Sequence, residues 1–162
     1  MRWLARLLVC WMPAAVKLRA CRDVSADFTA LLSGKLASTA GGRDAFRAAA
    51  YEAGLRAGKR LRDRLALGDS PDDVLLAWKI VAKASGMKFT VEKAPGKSIF
   101  RHLSCPVLSS GGARLCEDFC LPMVRGLTAA VCPSCAVEII DPASGARPCV
   151  KALVKPVVPN AH

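Results

Sequence analysis

Aromatic residues are scarce, at 6% of the 162 residues, and tyrosine occurs once. Nucleic-acid modules interleave aromatic with basic side chains so that bases can stack. The shortage therefore ranks nucleic acid low as a partner. A phosphate-cradling glycine loop, a dinucleotide fingerprint and a Ser/His/Asp arrangement are all missing. Glu117 and Asp118 are adjacent and would point different ways on a helix, which leaves no carboxylate pair for acid–base chemistry. No apolar run is long enough to span a bilayer. There is no internal repeat and no domain linker, so the length fits one ordinary domain.

Acidic residues are also few, with 13 Asp/Glu against 24 Lys/Arg and a net charge of +11. The excess is N-terminal. Residues 1–66 carry 13 Lys/Arg against 5 Asp/Glu, a net of +8, and the remainder carries +3. Seven of those 13 Lys/Arg lie between Arg43 and Arg64. Such a helix face is either simply solvated or steers anions. Hydrophobic residues make up 52% of the chain, enough to bury a core.

The chain holds eight cysteines. Cys10 and Cys21 lie near the start, and Cys105, Cys116, Cys120, Cys132, Cys135 and Cys149 crowd into 45 residues. A chain of this length with its own core is unlike a small disulfide scaffold, so metal ligation or thiol chemistry in a reducing compartment fits better. Residues 1–16 pair basic residues with an apolar stretch, as a signal peptide does, but Lys17, Arg19 and Arg22 follow at once. The reading is a cytoplasmic protein with an apolar, basic N-terminal segment over 1–22, and export through residues 1–20 is the alternative.

Periodicity predicts a helix over 23–37, a break at 38–42 and a long helix from Asp44 to Leu67. The long helix has a stripe of Phe46, Ala50, Ala53, Ala57 and Leu61, with arginines opposite. Gly54 and Gly58 are four apart on one face. Each costs a helix interior about 1 kcal/mol relative to Ala, so the pair predicts close approach by another backbone. The next helix is expected to start with Ser70 as N-cap and Pro71 at its first position, and to stop at Gly86. Residues 87–94 and 98–104 read as strands joined by a Pro-Gly turn. Residues 115–131 read as a helix with Pro122 in its first turn or kinking it. Residues 136–141 and 149–155 are two more strands, and 156–162 is a tail. The expected fold is α+β, an antiparallel sheet of about four strands covered by helices.

Three stretches resemble the 4-vinyl reductase-type, or hydrocarbon-binding, domain over roughly residues 23–155. They are YEAGLRAGKRL at 51–61, the helix-Gly-strand unit SPDDVLLAWKIVAKASGMKFTVE, and the C-terminal block. In that block Cys116, Gly126, Glu138, Gly145 and Cys149 match the family's positions. Asp141 stands where the family has its middle cysteine, Ala146 where it has Asp, and Pro122 where it has glycine. The resemblance implies an apolar pocket for a small aromatic or hydrocarbon-like ligand. It also implies a structural zinc held by Cys116, Glu138, Asp141 and Cys149. A related likeness is to the L-2-amino-thiazoline-4-carboxylic acid hydrolase family, through Cys105-Pro106, Cys116 or Cys120, Val124-Arg125-Gly126 and Gly145 to Cys149. It implies a hydrolase of a cyclic amidine or thiazoline that uses a cysteine.

Read on their own, Cys116-x3-Cys120 and Cys132-x2-Cys135 are spaced like a thiolate cage for zinc or an iron–sulfur cluster. Buried packing cysteines and redox or nucleophilic thiols are the alternatives. The candidate metal ligands are thus Cys116, Cys120, Cys132, Cys135, Glu138, Asp141 and Cys149. The candidate catalytic residues are Cys105, Cys116 and His102, with His102 otherwise an ordinary sheet residue. Three functions follow: a small-ligand binding or sensor domain with a cysteine-rich metal site, a cysteine hydrolase, or an interaction module that pairs as a homodimer through the helix at 44–67.

Overall fold

A computed structural model describes residues 42–145 and 147–154, with Met12, Pro13 and Val16. The N-terminal segment, the helix expected over 23–37, Cys10, Cys21 and the 156–162 tail lie outside the described residues, apart from those three positions.

Helix α1 (Gly42–Leu65) is almost devoid of large residues on its inner face, where Ala45, Ala49, Ala50, Ala53, Gly54, Ala57 and Gly58 are buried. Leu67 N–H bonds Arg62 O at 3.1 Å across Ala66, which sits in the left-handed region at φ 50°. That closure ends the helix two residues before the expected Leu67. Helix α2 (Pro71–Ala84) begins as expected. Asp73 N–H donates to Ser70 Oγ, and the Ser70 hydroxyl and Gly68 N–H both donate to Asp73 Oδ2. It ends at Ala84, two residues before the expected stop at Gly86, whose φ of +71° suits a residue without Cβ.

Strands β1 (Lys88–Ala94) and β2 (Lys97–Ser104) follow as a hairpin. Next come α3 (Pro106–Leu115), a π-helical turn at Cys116–Cys120, α4 (Leu121–Val131), and strands β3 (Ala136–Asp141) and β4 (Val150–Val154). The sheet is antiparallel throughout, in the order β1-β2-β4-β3. The α+β expectation therefore holds. No helix among the described residues is long and apolar enough to cross a membrane.

Two features of the 105–131 region differ from expectation. Residues 106–115 are helical, with Pro106 in the first turn, but the helix is broken at Gly112, whose backbone (φ 68°, ψ −170°) is not helical. Residues 115–131 are not one regular helix. Leu121 N–H bonds Cys116 O, five residues back, so the turn before Pro122 is wound wider. Pro122 has no N–H to offer a carbonyl four residues back, and the wide turn accommodates it within the first turn of α4.

The glycine expectation is met within the chain. A Cβ on Gly54 would lie 2.0 Å from Met123 O, and one on Gly58 2.8 Å from Leu127 O. From the other side, a Cβ on Gly126 would lie 2.0 Å from Tyr51 O. α1 and α4 thus touch backbone to backbone. The small-residue face of the helix expected to pair a homodimer is taken up by α4 of the same chain. Arg43 Nε donates to both oxygens of Asp118 at 2.8 and 2.9 Å, and Arg47 Nε donates at 2.7 Å, tying the π turn to α1. Burial pushes the Asp118 carboxyl up, but these bonds outweigh it and hold it below the usual range.

Candidate functional site

The sheet alternates sides residue by residue. On β2 the side toward the helices carries Ser98, Phe100 and His102, all buried. Phe100 pairs with Lys151 on β4, which puts Lys151 on that same side. Lys151 is 2% exposed. Its Nζ donates to Cys120 Sγ at 3.2 Å and lies 3.5 Å from His102 Nε2.

A cavity of about 30 Å³ opens between the sheet and helices α2 and α4. Trp78, Val81 and Ala82 of α2 form one wall, with Met87 just beyond it. Met123, Val124 and Leu127 of α4 form another. Phe100, His102, Cys120 and Lys151 close it. Trp78 is held by a bond from Nε1 to Thr128 Oγ1 at 3.0 Å, and its ring meets Phe100 edge-on. The lining is apolar except at Lys151, His102 and Cys120. At this volume the cavity holds about one or two waters. Met87 also lines an open surface groove that carries Lys79, Lys83 and Lys88.

The electrostatics follow from burial. Burial, and then the Lys151 charge, push His102 down to about 3. Its ring is neutral at ordinary pH. A neutral ring whose Nε2 accepts from the ammonium carries its proton on Nδ1. Nδ1 is buried and has no hydrogen-bond partner among the described residues. Burial opposes the charge on Lys151, whereas Cys120, Cys149 and Cys105 favour it once they ionise to thiolates, and push the ammonium up to about 12. Burial, followed by the neighbouring Cys120, Cys105 and Cys149, pushes Cys116 up to about 12. Burial also raises Cys149.

Of the expected metal ligands, Cys120 and Cys149 bond Lys151, while Cys116, with Cys105, acts on the same charges only electrostatically. Cys132 and Cys135 form a separate pair, with sulfurs 2.8 Å apart. Glu138 pairs with Ala152, one residue off Lys151, so alternation puts it on the opposite side of the sheet, where it is exposed. Asp141 pairs with Val150 on that same far side and lies 3.8 Å from Arg147. The seven residues do not converge on one point. A dication among the near sulfurs would also face the Lys151 ammonium. Among the described residues, no three His, Cys, Asp or Glu side chains are grouped to hold a metal ion. As placed, these residues do not fit the zinc set that the family pattern implies.

Of the catalytic candidates, His102 is partnered by Lys151 rather than by Cys105, which sits at the start of α3. The residue that sequence reasoning missed is Lys151. The signal was present: a lysine inside the otherwise apolar run CVKALV, where a strand buried on both faces carries no charge by default. No protein-family model, curated protein or solved structure matches the chain, which leaves the geometry to speak for its chemistry.

Proposed function

We propose that this chain is a small-molecule binding domain whose ligand is an amphipathic organic acid. Its apolar body would lie between α2, α4 and the sheet, and its carboxylate would meet Lys151. The observation that carries the reading is the Lys151 ammonium, buried in an apolar cavity beside a neutral His102 with an unpartnered Nδ1. Lysine is almost never fully buried without an opposite charge. An acid's oxygens would accept from both groups at once.

The walls allow the cavity to grow. Met87 and Met123 are unbranched and adapt their rotamers readily. Met87 separates the cavity from the groove of Lys79, Lys83 and Lys88, and these cations would draw an anion to that point. The apolar pocket agrees with what the hydrocarbon-binding resemblance implies; the acid group is added by Lys151. Zinc and an iron–sulfur cluster rest on the resemblance and the cysteine spacing alone. A cysteine hydrolase needs an activated thiolate and a competent base. Cys116 is pushed up and His102 pushed down, which supports binding over catalysis. The six described thiols, buried and outside any disulfide, fit a reducing, cytoplasmic setting.

Titration calorimetry with benzoate and benzyl alcohol tests this. Benzoate should bind at least about tenfold tighter than the alcohol, the worth of a charge-assisted bond. Lys151→Met should erase the difference while the protein stays folded. Equal binding of acid and alcohol, or a preference that survives Lys151→Met, would sink the reading.

A further inference from the structure

The proposed pocket uses one group of cysteines and leaves Cys132 and Cys135 unexplained. These two bracket the turn that joins α4 to β3. Cys135 N–H donates to Cys132 O at 3.1 Å, closing a four-residue turn with Pro133 in its second position. Proline's fixed φ stiffens such a turn in advance. The turn holds Cys135 Sγ 2.8 Å from Cys132 Sγ, closer than two sulfurs rest in ordinary contact. Ser134 Oγ lies 3.3 Å from Cys132 Sγ. The middle of the turn, Pro133 and Ser134, is at the surface, while Cys132 is 1% and Cys135 9% exposed. A bulky disulfide oxidant would have to open the turn, and hydrogen peroxide is far smaller.

We propose that Cys132-Pro133-Ser134-Cys135 is a redox-active dithiol that hydrogen peroxide closes to an intrachain disulfide. The Cys132 thiolate attacks one peroxide oxygen. The O–O bond breaks, and the departing hydroxide takes up a proton to become water. Cys132 is then a sulfenic acid. The Cys135 sulfur attacks Cys132 Sγ, the S–S bond forms and the S–O bond breaks. Hydroxide leaves and takes the Cys135 proton as a second water. Two thiols lose two protons and two electrons, and one peroxide becomes two waters. The cysteines around Lys151 differ in kind, since they surround an ammonium and include two thiols that burial raises.

The test is a small excess of hydrogen peroxide on the full chain, followed by unfolding, alkylation and peptide mass mapping, with elemental analysis of the starting protein. The tryptic peptide 126–151 carries Cys132, Cys135 and Cys149. It should lose two hydrogens and take alkyl label only at Cys149. Cys135→Ser should leave a Cys132 sulfenic acid that dimedone captures, and Cys132→Ser should lose that adduct. The proposal is overturned if Cys132 and Cys135 both still alkylate. It is equally overturned if dimedone finds nothing in Cys135→Ser, or if the two thiols carry a stoichiometric metal that shields them until it is chelated.

Discussion

Helix α4 has two contrasting sides. Toward α1 it is closed to the backbone: Gly54, Gly58 and Gly126 let main chain meet main chain, and a single Cβ would not fit. Toward α2 and the sheet it meets large side chains, and those leave a cavity around a buried cation. The first seam is built from missing side chains and the second from side chains that do not quite fill their space. Close-packed interiors rarely tolerate voids. A seam shut tightly on one side of a helix, beside one left open on the other, separates what holds the fold from what is free to take a ligand.

The largest effect expected at neutral pH breaks the closed seam. Gly126→Ala in an unstrained helix would gain about 1 kcal/mol. Here the added Cβ meets Tyr51 O at 2.0 Å, so the sign reverses. Denaturant unfolding should show a loss of about 3 kcal/mol. A stabilised Gly126→Ala would mean that the two backbones are not in contact.

The next prediction probes the open side through pH. The folded His102 is pushed from 6.5 down to about 3, so between those values the unfolded chain binds the extra proton. Its contribution is complete above about pH 6.5. It is lost as pH falls toward 3, at up to about 1.4 kcal/mol per pH unit. His102→Phe should flatten that part of the stability profile. An unchanged slope would show that His102 is solvated.

The smallest effect lies away from both seams. Ala66 closes α1 in the left-handed region, where a Cβ is strained. Ala66→Gly should raise stability by about 0.5–1 kcal/mol, read as a higher melting temperature with an unchanged denaturant slope.

Much of the fold is legible in the amino-acid sequence. Ser70, Pro71 and Gly86 mark α2 because caps and breakers act on their own neighbours. The Pro95-Gly96 turn and the PASGAR turn at 142–147 mark both hairpins for the same reason. Gly54 and Gly58 announce a close backbone, since two glycines on one helix face have few other uses. The partner is harder to see. Gly126 lies far along the chain, and its part in the seam depends on how α4 docks. Helix α3 escapes a reading by propensity because Ser109, Ser110, Gly111 and Gly112 favour loop.

The site is less legible. The cysteines draw attention because thiols at short spacing have a known chemistry. Spacing alone cannot sort them, and β-alternation sends Glu138 and Asp141 to the far side of the sheet from Cys149 and Lys151. Local rules therefore settle most of the elements, the turns and the demand for a glycine contact, because each depends on residues a few positions apart. Which thiols meet, which carboxylates are turned away and which lysine is buried among sulfurs depend on strand register and helix docking, where residues dozens of positions apart first come within reach.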